Sequence, residues 1–355
     1  MYLDRILVNR AQVGTTLVVA SRAEQDLTVM KKAALITILI PLCGWAARAA
    51  STAPGWSPSR SVRIIVPFQA GGPMDTVART IAQQLGDKWN QSFVVENRTG
   101  GSGNIGSNVV AKAHPDGYTI GMASGGTHGA NATLFGPNMP YDPVGDFTPV
   151  SLLVHMRNVL VVHPSLQIGT LQELIAYANK NPGQLTFGSS GTGSVQHLTG
   201  EMFKIATRID ITHVSYRGQA QALPDLIGGR VSMMFLGAGD AAQHIRSGAL
   251  IPIGLSSIDR TPLLPNVDPL AEQGLSGFDA VTWFGLVAPP GTAAEIVDAY
   301  YGQISESFAR PETRSRLQQM GLDVVMMPPK EFGRFIANEV AKWGAVVKAA
   351  GARLE

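Results

Sequence analysis

Val62-Arg-Ile-Ile-Val-Pro-Phe68-Gln-Ala-Gly-Gly-Pro-Met-Asp75 carries the chain out of an apolar run, through two glycines, and into a helix. Val62–Phe68 is apolar at nearly every position, the pattern of a strand covered on both faces. Pro73 suits the first helical position, which makes Gly72 the N-cap. Asp75 then falls in the first turn, where a carboxylate offsets the helix dipole. The helix is predicted over Asp75–Leu85. A well-capped helix accounts for this stretch on its own. The functional reading is that the amides of Gly71 and Gly72 stand at a positive helix end, ready for an anion.

The strand–loop–helix unit recurs outward from this stretch. Phe93–Glu96, Tyr118–Ala123, Val159–Val162, Leu185–Gly188, Ile211–Ser215, Val231–Phe235, Ile251–Ser256 and Trp283–Ala288 read as strands. Helical patterns separate most of them, among them Ile105–Ala113, Val195–Ala206, Gln219–Ile227 and Asp240–Ser247. Thr170-Leu-Gln-Glu173 is a capping box, and Thr292-Ala-Ala-Glu295 repeats its spacing. Phe332, Ile336, Val340, Trp343 and Val347 form one stripe of a last helix, which predicts burial against a sheet. The rhythm predicts the α/β class with mixed, mostly parallel sheets flanked by helices. The longest irregular connections lie at 137–149 and 262–277. If the chain crosses between lobes near them, lobe 1 comprises 60–158 and 282–355, and lobe 2 comprises 159–281.

Composition removes whole classes of function. With 45% apolar and 15% charged residues the chain has a core and is not disordered. A formal net charge of +2, spread without blocks, points away from nucleic acid. Met30-Lys31-Lys32, the apolar run Ala33–Cys43 and Ala47-Arg48-Ala49 read as a signal peptide over 30–49, cleaved near Ala49. Its apolar run is shorter than the roughly 20 residues needed to cross a membrane. A buried core helix is the alternative, and the flanking Lys-Lys and Ala-rich exit weigh against it. Residues 1–29 read as an over-extended start. The single cysteine, Cys43, lies inside this signal, so the exported chain would hold no thiol or disulfide. Seven scattered histidines show no metal-ligand spacing. An exported chain of roughly 300 residues, without metal or cofactor, is the expectation.

Two further glycine-rich loops follow strands. Gly101-Ser-Gly-Asn-Ile-Gly106 has the GxGxxG form, but a dinucleotide fingerprint needs an acidic residue about 20 residues later. Ser124-Gly125-Gly126 stands there instead, and Asn104 reads more simply as a helix N-cap. Gly188-Ser-Ser-Gly-Thr-Gly-Ser194 precedes Val195-Gln-His197, with Ser194 a natural N-cap. Ser189, Ser190, Thr192 and the loop amides could line an anion nest. A serine hydrolase would want GxSxG around its nucleophile, and Gly-Ser-Ser-Gly around Ser190 fails that spacing. Thr127-His128 follows the third strand in a loop of small residues, where hydrogen bonding within the loop competes with ligand contact. Arg79 stands four residues after Asp75 and reads as its ion-pair partner. If lobes 1 and 2 face each other, two helix N-termini converge on a cleft whose loops hold no lysine or arginine. Such a cleft binds a small carboxylate and offers no base, nucleophile or metal to transform it.

The motifs together resemble the Bug family of extracytoplasmic solute receptors, which serve tripartite tricarboxylate transporters. The resemblance rests on Val66-Pro-Phe68 with Gly71-Gly72 and Asp75, and on Val95-Glu-Asn-Arg98 with Gly103-Asn-Ile-Gly106. Pro115-Asp-Gly-Tyr118, Tyr141-Asp-Pro143, Asp146-Phe-Thr-Pro-Val150 and Val161-Val-His-Pro164 continue it. Ser189-Ser-Gly191 with Gln196-His197, Tyr216-Arg-Gly218, Leu226-Ile-Gly-Gly229 and Trp283-Phe-Gly285 complete it, in order along the exported chain. The resemblance implies a two-lobed periplasmic-binding-protein fold of type II, closing on a small carboxylate, with no enzyme activity. The implied partners are that ligand and membrane transporter subunits, or the subunits of a membrane sensor on the alternative reading, with the receptor a monomer. Candidate ligand contacts are Phe68, Ala70, Gly71, Gly72 and Asp75 in the first loop, and Thr127 and His128 after the third strand. Lobe 2 would add Ser189, Ser190, Gly191, Thr192, Gly193, Ser194 and His197. Two positions depart from the family: Ala70 replaces a common proline, and Leu236-Gly-Ala-Gly239 stands where many relatives carry an Asp-Asn pair. The second departure leans away from an amino-acid ligand.

Overall fold

The computed structural model describes residues 55–352. The over-extended start, the signal peptide with Cys43 and the cleavage point near Ala49 lie outside the described residues. In chain order the strands are β1 (Val62–Val66), β2 (Phe93–Asn97), β3 (Thr119–Ser124), β4 (Thr148–Met156), β5 (Asn158–Val162), β6 (Leu185–Ser189), β7 (Ile211–Ser215), β8 (Met233–Gly237), β9 (Ile251–Leu255), β10 (Thr282–Ala288) and β11 (Leu322–Met327). The helices are α1 (Pro73–Trp89), α2 (Asn104–Ala111), α3 (Asn131–Phe135), α4 (Leu171–Lys180), α5 (Val195–Thr207), α6 (Gln219–Ile227), α7 (Ala238–Arg246), α8 (Ala294–Ala309), α9 (Pro311–Gln319) and α10 (Pro329–Ala350).

Two sheets organise them. The first runs β11-β4-β10-β3-β1-β2 and the second β7-β6-β8-β5-β9. Pairing is parallel where a helix crosses over, at β1–β2, β1–β3, β6–β7 and β6–β8. It is antiparallel at β10–β3, β10–β4, β11–β4, β5–β8 and β5–β9. The sheets are therefore mixed, with fewer parallel contacts than the β–α rhythm predicts. The antiparallel pairs arise where the chain leaves one sheet for the other. β4 ends in the first sheet at Met156, and β5 starts the second at Asn158. The chain returns from β9 to β10. Arg157, the residue between β4 and β5, donates to the carboxylates of Asp323 and Asp259.

Each sheet carries its own core. Val62, Ile64, Val66, Ile81, Tyr300 and Phe308 pack on the first, and Leu160, Phe187, Phe203 and Phe235 on the second. α10 serves both. Phe332 and Ile336 pack with Trp283 beside the first sheet, whereas Trp343 and Val347 join the core of the second. The stripe on α10 differs from expectation at one step, because Val340 is only half-buried and Glu339 is buried instead.

Local capping follows the sequence in part. Thr170 and Glu173 form the capping box, with Thr170 Oγ1 accepting from the Glu173 amide at 3.2 Å and Glu173 Oε2 accepting from the Thr170 amide at 3.1 Å. Thr292 does not cap α8. Its hydroxyl donates to the Pro289 carbonyl at 2.7 Å, and Ala293 takes the N-cap position. Asn104 is not the cap of α2 either, because Gly103 at φ 90° occupies that place. Asn104 Oδ1 instead accepts from Asn131 Nδ2 at 2.7 Å and Tyr141 OH at 2.9 Å, tying α2 to α3.

Candidate functional site

The first loop is held from below by one carboxylate. Gly72 caps α1 with Pro73 behind it, as the sequence predicts. Asp75 Oδ2 accepts from the Gly71 amide at 2.9 Å and from Arg79 Nε at 2.8 Å. Asp75 Oδ1 accepts from Asn97 Nδ2 at 3.0 Å, and the same Asn97 amide reaches the Phe68 carbonyl at 3.0 Å. Burial opposes ionisation of Asp75, but the hydrogen bonds from Arg79, Gly71 and Asn97 outweigh it and hold the carboxyl below its ordinary range. The Gly71 amide is therefore engaged by Asp75, where the sequence left it open for an anion. The Gly72 amide has no partner among the described residues, and α1 adds its dipole behind it.

The loop after β6 is also largely satisfied from within. The Gly191 amide donates to Ser189 Oγ at 3.1 Å, that of Thr192 to Ser215 Oγ at 3.1 Å, and that of Gly193 to His197 Nδ1 at 3.1 Å. Three of the amides assigned to an anion nest thus stabilise the loop itself. Ser194 caps α5 by accepting from the His197 amide at 3.2 Å. The first-turn amides of α5, at Val195 and Gln196, have no helical partner and lie at the positive end of the helix.

Both helix ends open on one cleft of ≈ 1140 Å³. Phe68, Ala70, Gly71, Gly72 and Asp75 line it from one side, and Ser190, Gly191, Thr192, Gly193 and Ser194 from the other. The two sides already touch, since Ser102 Oγ donates to the Thr192 carbonyl at 3.2 Å. Four candidate residues stand behind the wall and do not line the cleft. Thr127 and His128 are fully buried in the π-helical turn Gly126–Ala130, where Thr127 Oγ1 meets His128 Nδ1 at 3.0 Å and the His128 ring packs 4.4 Å from Phe147. Ser189 is buried with its hydroxyl 2.7 Å from His213 Nε2. His197 is turned inward by its bond to the Gly193 amide. These side chains brace the loops from inside, which is why small polar residues there resemble a site in sequence. The Ser189–His213 pair stands away from the lining.

The family model described as tripartite tricarboxylate transporter family receptor matches residues 77–352. The chain belongs to this receptor family. Protein BugT of Bordetella pertussis is 34% identical over 322 residues, covering 91% of this chain and 98% of that protein. The R. palustris protein Rpa4515, solved with adipate, superposes with a TM-score of 0.78 at 36% identity, over 84% of this chain and 99% of that one. MatC from Rhodopseudomonas palustris, solved with malate, superposes with a TM-score of 0.75 at 33% identity, over 82% of this chain and 100% of that one. The fold is that of the periplasmic binding proteins, and the chain is a solute-binding receptor.

For a receptor of this family the lining holds more than the glycine loops. Among the described residues Arg217 is the only cation lining it, and Gln219, Asp240, Met156, Thr282, Phe284, Leu322 and Met320 also line it. A relay of side chains crosses the second side. Ser190 Oγ donates to Gln196 Oε1 at 2.6 Å, Gln196 Nε2 to Gln219 Oε1 at 3.4 Å, and Gln219 Nε2 to Asp240 Oδ2 at 2.6 Å. Tyr216-Arg-Gly218 and Trp283-Phe-Gly285 were visible in sequence as family motifs, but nothing local marked them as lining. Leu236, the departure from the family pattern, is buried in β8 and contributes no group to the cleft.

The bracing histidines make the loop sensitive to acid. His197 and His213 stack with centroids 4.0 Å apart. Burial, with Lys204 nearby, pushes His197 down to about 4, and burial with the charges of His197 and Lys204 pushes His213 to about 3. A histidine held neutral in the fold and titrating near 6.5 when unfolded binds more protons unfolded, so its contribution is complete above about pH 6.5 and is lost as pH falls toward 4. Urea melts at pH 7, 6 and 5 should show stability falling at each step. His213→Gln should flatten that slope, and an equal slope in the variant would refute the assignment.

Proposed function

We propose that this receptor captures a small organic carboxylate in the periplasm and presents it to the membrane subunits of a tripartite tricarboxylate transporter. The observation that carries this is the meeting of two helix N-termini, at Gly72 and Ser194, on one cleft. Their free amides and positive dipole ends suit an anion, and Arg217 adds one formal positive charge. The adipate and malate bound to two similar proteins support the same ligand class. The first-turn amides of α5 grip one side of the carboxylate, and the Gly72 amide the other. Asp75 acts as the loop's brace. The lobes, 60–158 with 282–355 against 159–281, close by hinge motion at the β4–β5 and β9–β10 crossings and along α10, which packs on both cores, and the receptor works as a monomer without catalysis.

Thermal melting against a panel of mono- and dicarboxylates tests the proposal. A ligand at one hundred times its Kd adds about 2.7 kcal/mol, so a true ligand should raise Tm by about 5 °C or more. The protein must first be stripped of carried-over ligand by unfolding and refolding. Failure of every carboxylate to shift the melt would refute the reading.

A further inference from the structure

We infer that the cleft selects carboxylates whose body is hydrocarbon over short hydroxylated acids, an inference that rests on the carboxylate-receptor reading above. The cleft lining includes six large apolar side chains, the largely buried Met156, Phe284 and Leu322 and the more open Phe68, Leu223 and Met320. Phe68 and Met320 remain 38% and 41% exposed, so their side chains are open to a ligand in the cleft. Several polar side chains of the lining already hold protein partners. Thr282 Oγ1 accepts from Asn158 Nδ2 at 3.0 Å, and Ser124 Oγ lies 3.3 Å from Thr127 Oγ1. The Asp240 carboxylate holds Gln219, and Asp75 is saturated by Arg79, Gly71 and Asn97.

A hydroxyl or extra carboxyl in the middle of the ligand therefore meets methyl, thioether and phenyl groups. Such a polar group loses its water without gaining a partner, which weakens binding. A methylene or aryl group placed there covers apolar surface instead, and each buried methylene tightens binding about fourfold. Leu236 in β8, where many relatives carry an acid, is buried and puts no carboxylate at that position to receive an ammonium.

Calorimetric titration of the ligand-stripped protein with acetate, butyrate, hexanoate, benzoate, malate and citrate decides the matter. The expected result is affinity rising about fourfold per methylene from acetate to hexanoate, with malate and citrate at least tenfold weaker than hexanoate. Met320→Gln, at an exposed position where folding is retained, should weaken hexanoate about fivefold and leave malate unchanged. A flat series, malate or citrate matching hexanoate, or an unaltered hexanoate affinity in Met320→Gln overturns the selectivity while the carboxylate reading stands. Absence of heat with every acid overturns both.

Discussion

Gly72→Val should lower carboxylate affinity about 100-fold or more while the protein still folds. Gly72 sits at φ −79° and ψ 170°, extended backbone that a β-branched residue adopts readily. A Cβ built there meets nothing closer than the Gln69 carbonyl at 3.7 Å. The new side chain thus fits the protein and projects from the cleft lining, where it keeps a carboxylate from the Gly72 amide and the first turn of α1. Charge-assisted hydrogen bonds contribute about 1.5–3 kcal/mol each, so losing two accounts for the fall. Replacing an N-cap glycine by valine costs α1 about 1 kcal/mol, or 2–4 °C in Tm. Gly71 makes the contrast. At φ 84° it occupies the left-handed region, so Gly71→Val strains the loop directly and damages folding and binding together. Titration of both variants beside their melts separates the cases. Affinity within threefold of the parent in a folded Gly72→Val protein would move the site away from this helix end.

The sequence made the outline of this cleft legible because its framing signals are local. Gly72 before Pro73, and Ser194 three residues before His197, mark helix starts by chemistry that acts within one turn. What stayed hidden depends on distant partners. β4 went unseen because Pro149, Ser151 and His155 interrupt the apolar pattern of Thr148–Met156, and its break from β5 falls at Arg157, which ion-pairs with Asp323 and Asp259, with no glycine or proline to mark it. β11 went unseen because it is an edge strand with Met326 at φ 53°, whose partner β4 is far away in sequence. Thr127, His128, Ser189 and His197 looked like ligand contacts because bracing a loop and lining a cleft call for the same side chains. Only their direction distinguishes the roles. The amides of Gly191, Thr192 and Gly193 illustrate the same point, since side chains from β6, β7 and α5 take the place the anion was expected to hold. Met156, Phe284 and Leu322 belong to the core and also line the cleft, a double role that no local signal marks.

Glu339→Ala should destabilise the receptor by about 3–5 kcal/mol, the largest loss expected from one side chain outside the cleft. Glu339 Oε2 accepts from Trp283 Nε1 at 2.7 Å and from Trp343 Nε1 at 2.8 Å, and both indoles are buried. Truncation leaves two indole N–H groups with neither partner nor water, each costing about 1–3 kcal/mol. Lys342, 3.5 Å from Oε1 and more than a third exposed on its side chain by the same measure that leaves Glu339 at 8%, adds little. The position matters beyond its energy. Trp283 belongs to β10 of the first sheet, whereas Trp343 packs in the core of the second, so one carboxylate joins the two cores through α10. A Cβ at Gly125 would stand 3.2 Å from Trp283 Nε1 and 3.5 Å from Trp343 Nε1, so the turn Ser124–Gly126 rests on this pair. Ser124 and Gly126 line the cleft, and loosening the indoles beneath them should weaken ligand binding as well as folding. Glu339→Gln keeps one acceptor oxygen in nearly the same shape and loses the charge assistance, so about 1–2 kcal/mol is expected of it. Urea unfolding of both variants reads the series directly. An alanine variant as stable as the parent would mean that the indoles find other acceptors, and that α10 joins the two cores by apolar packing alone.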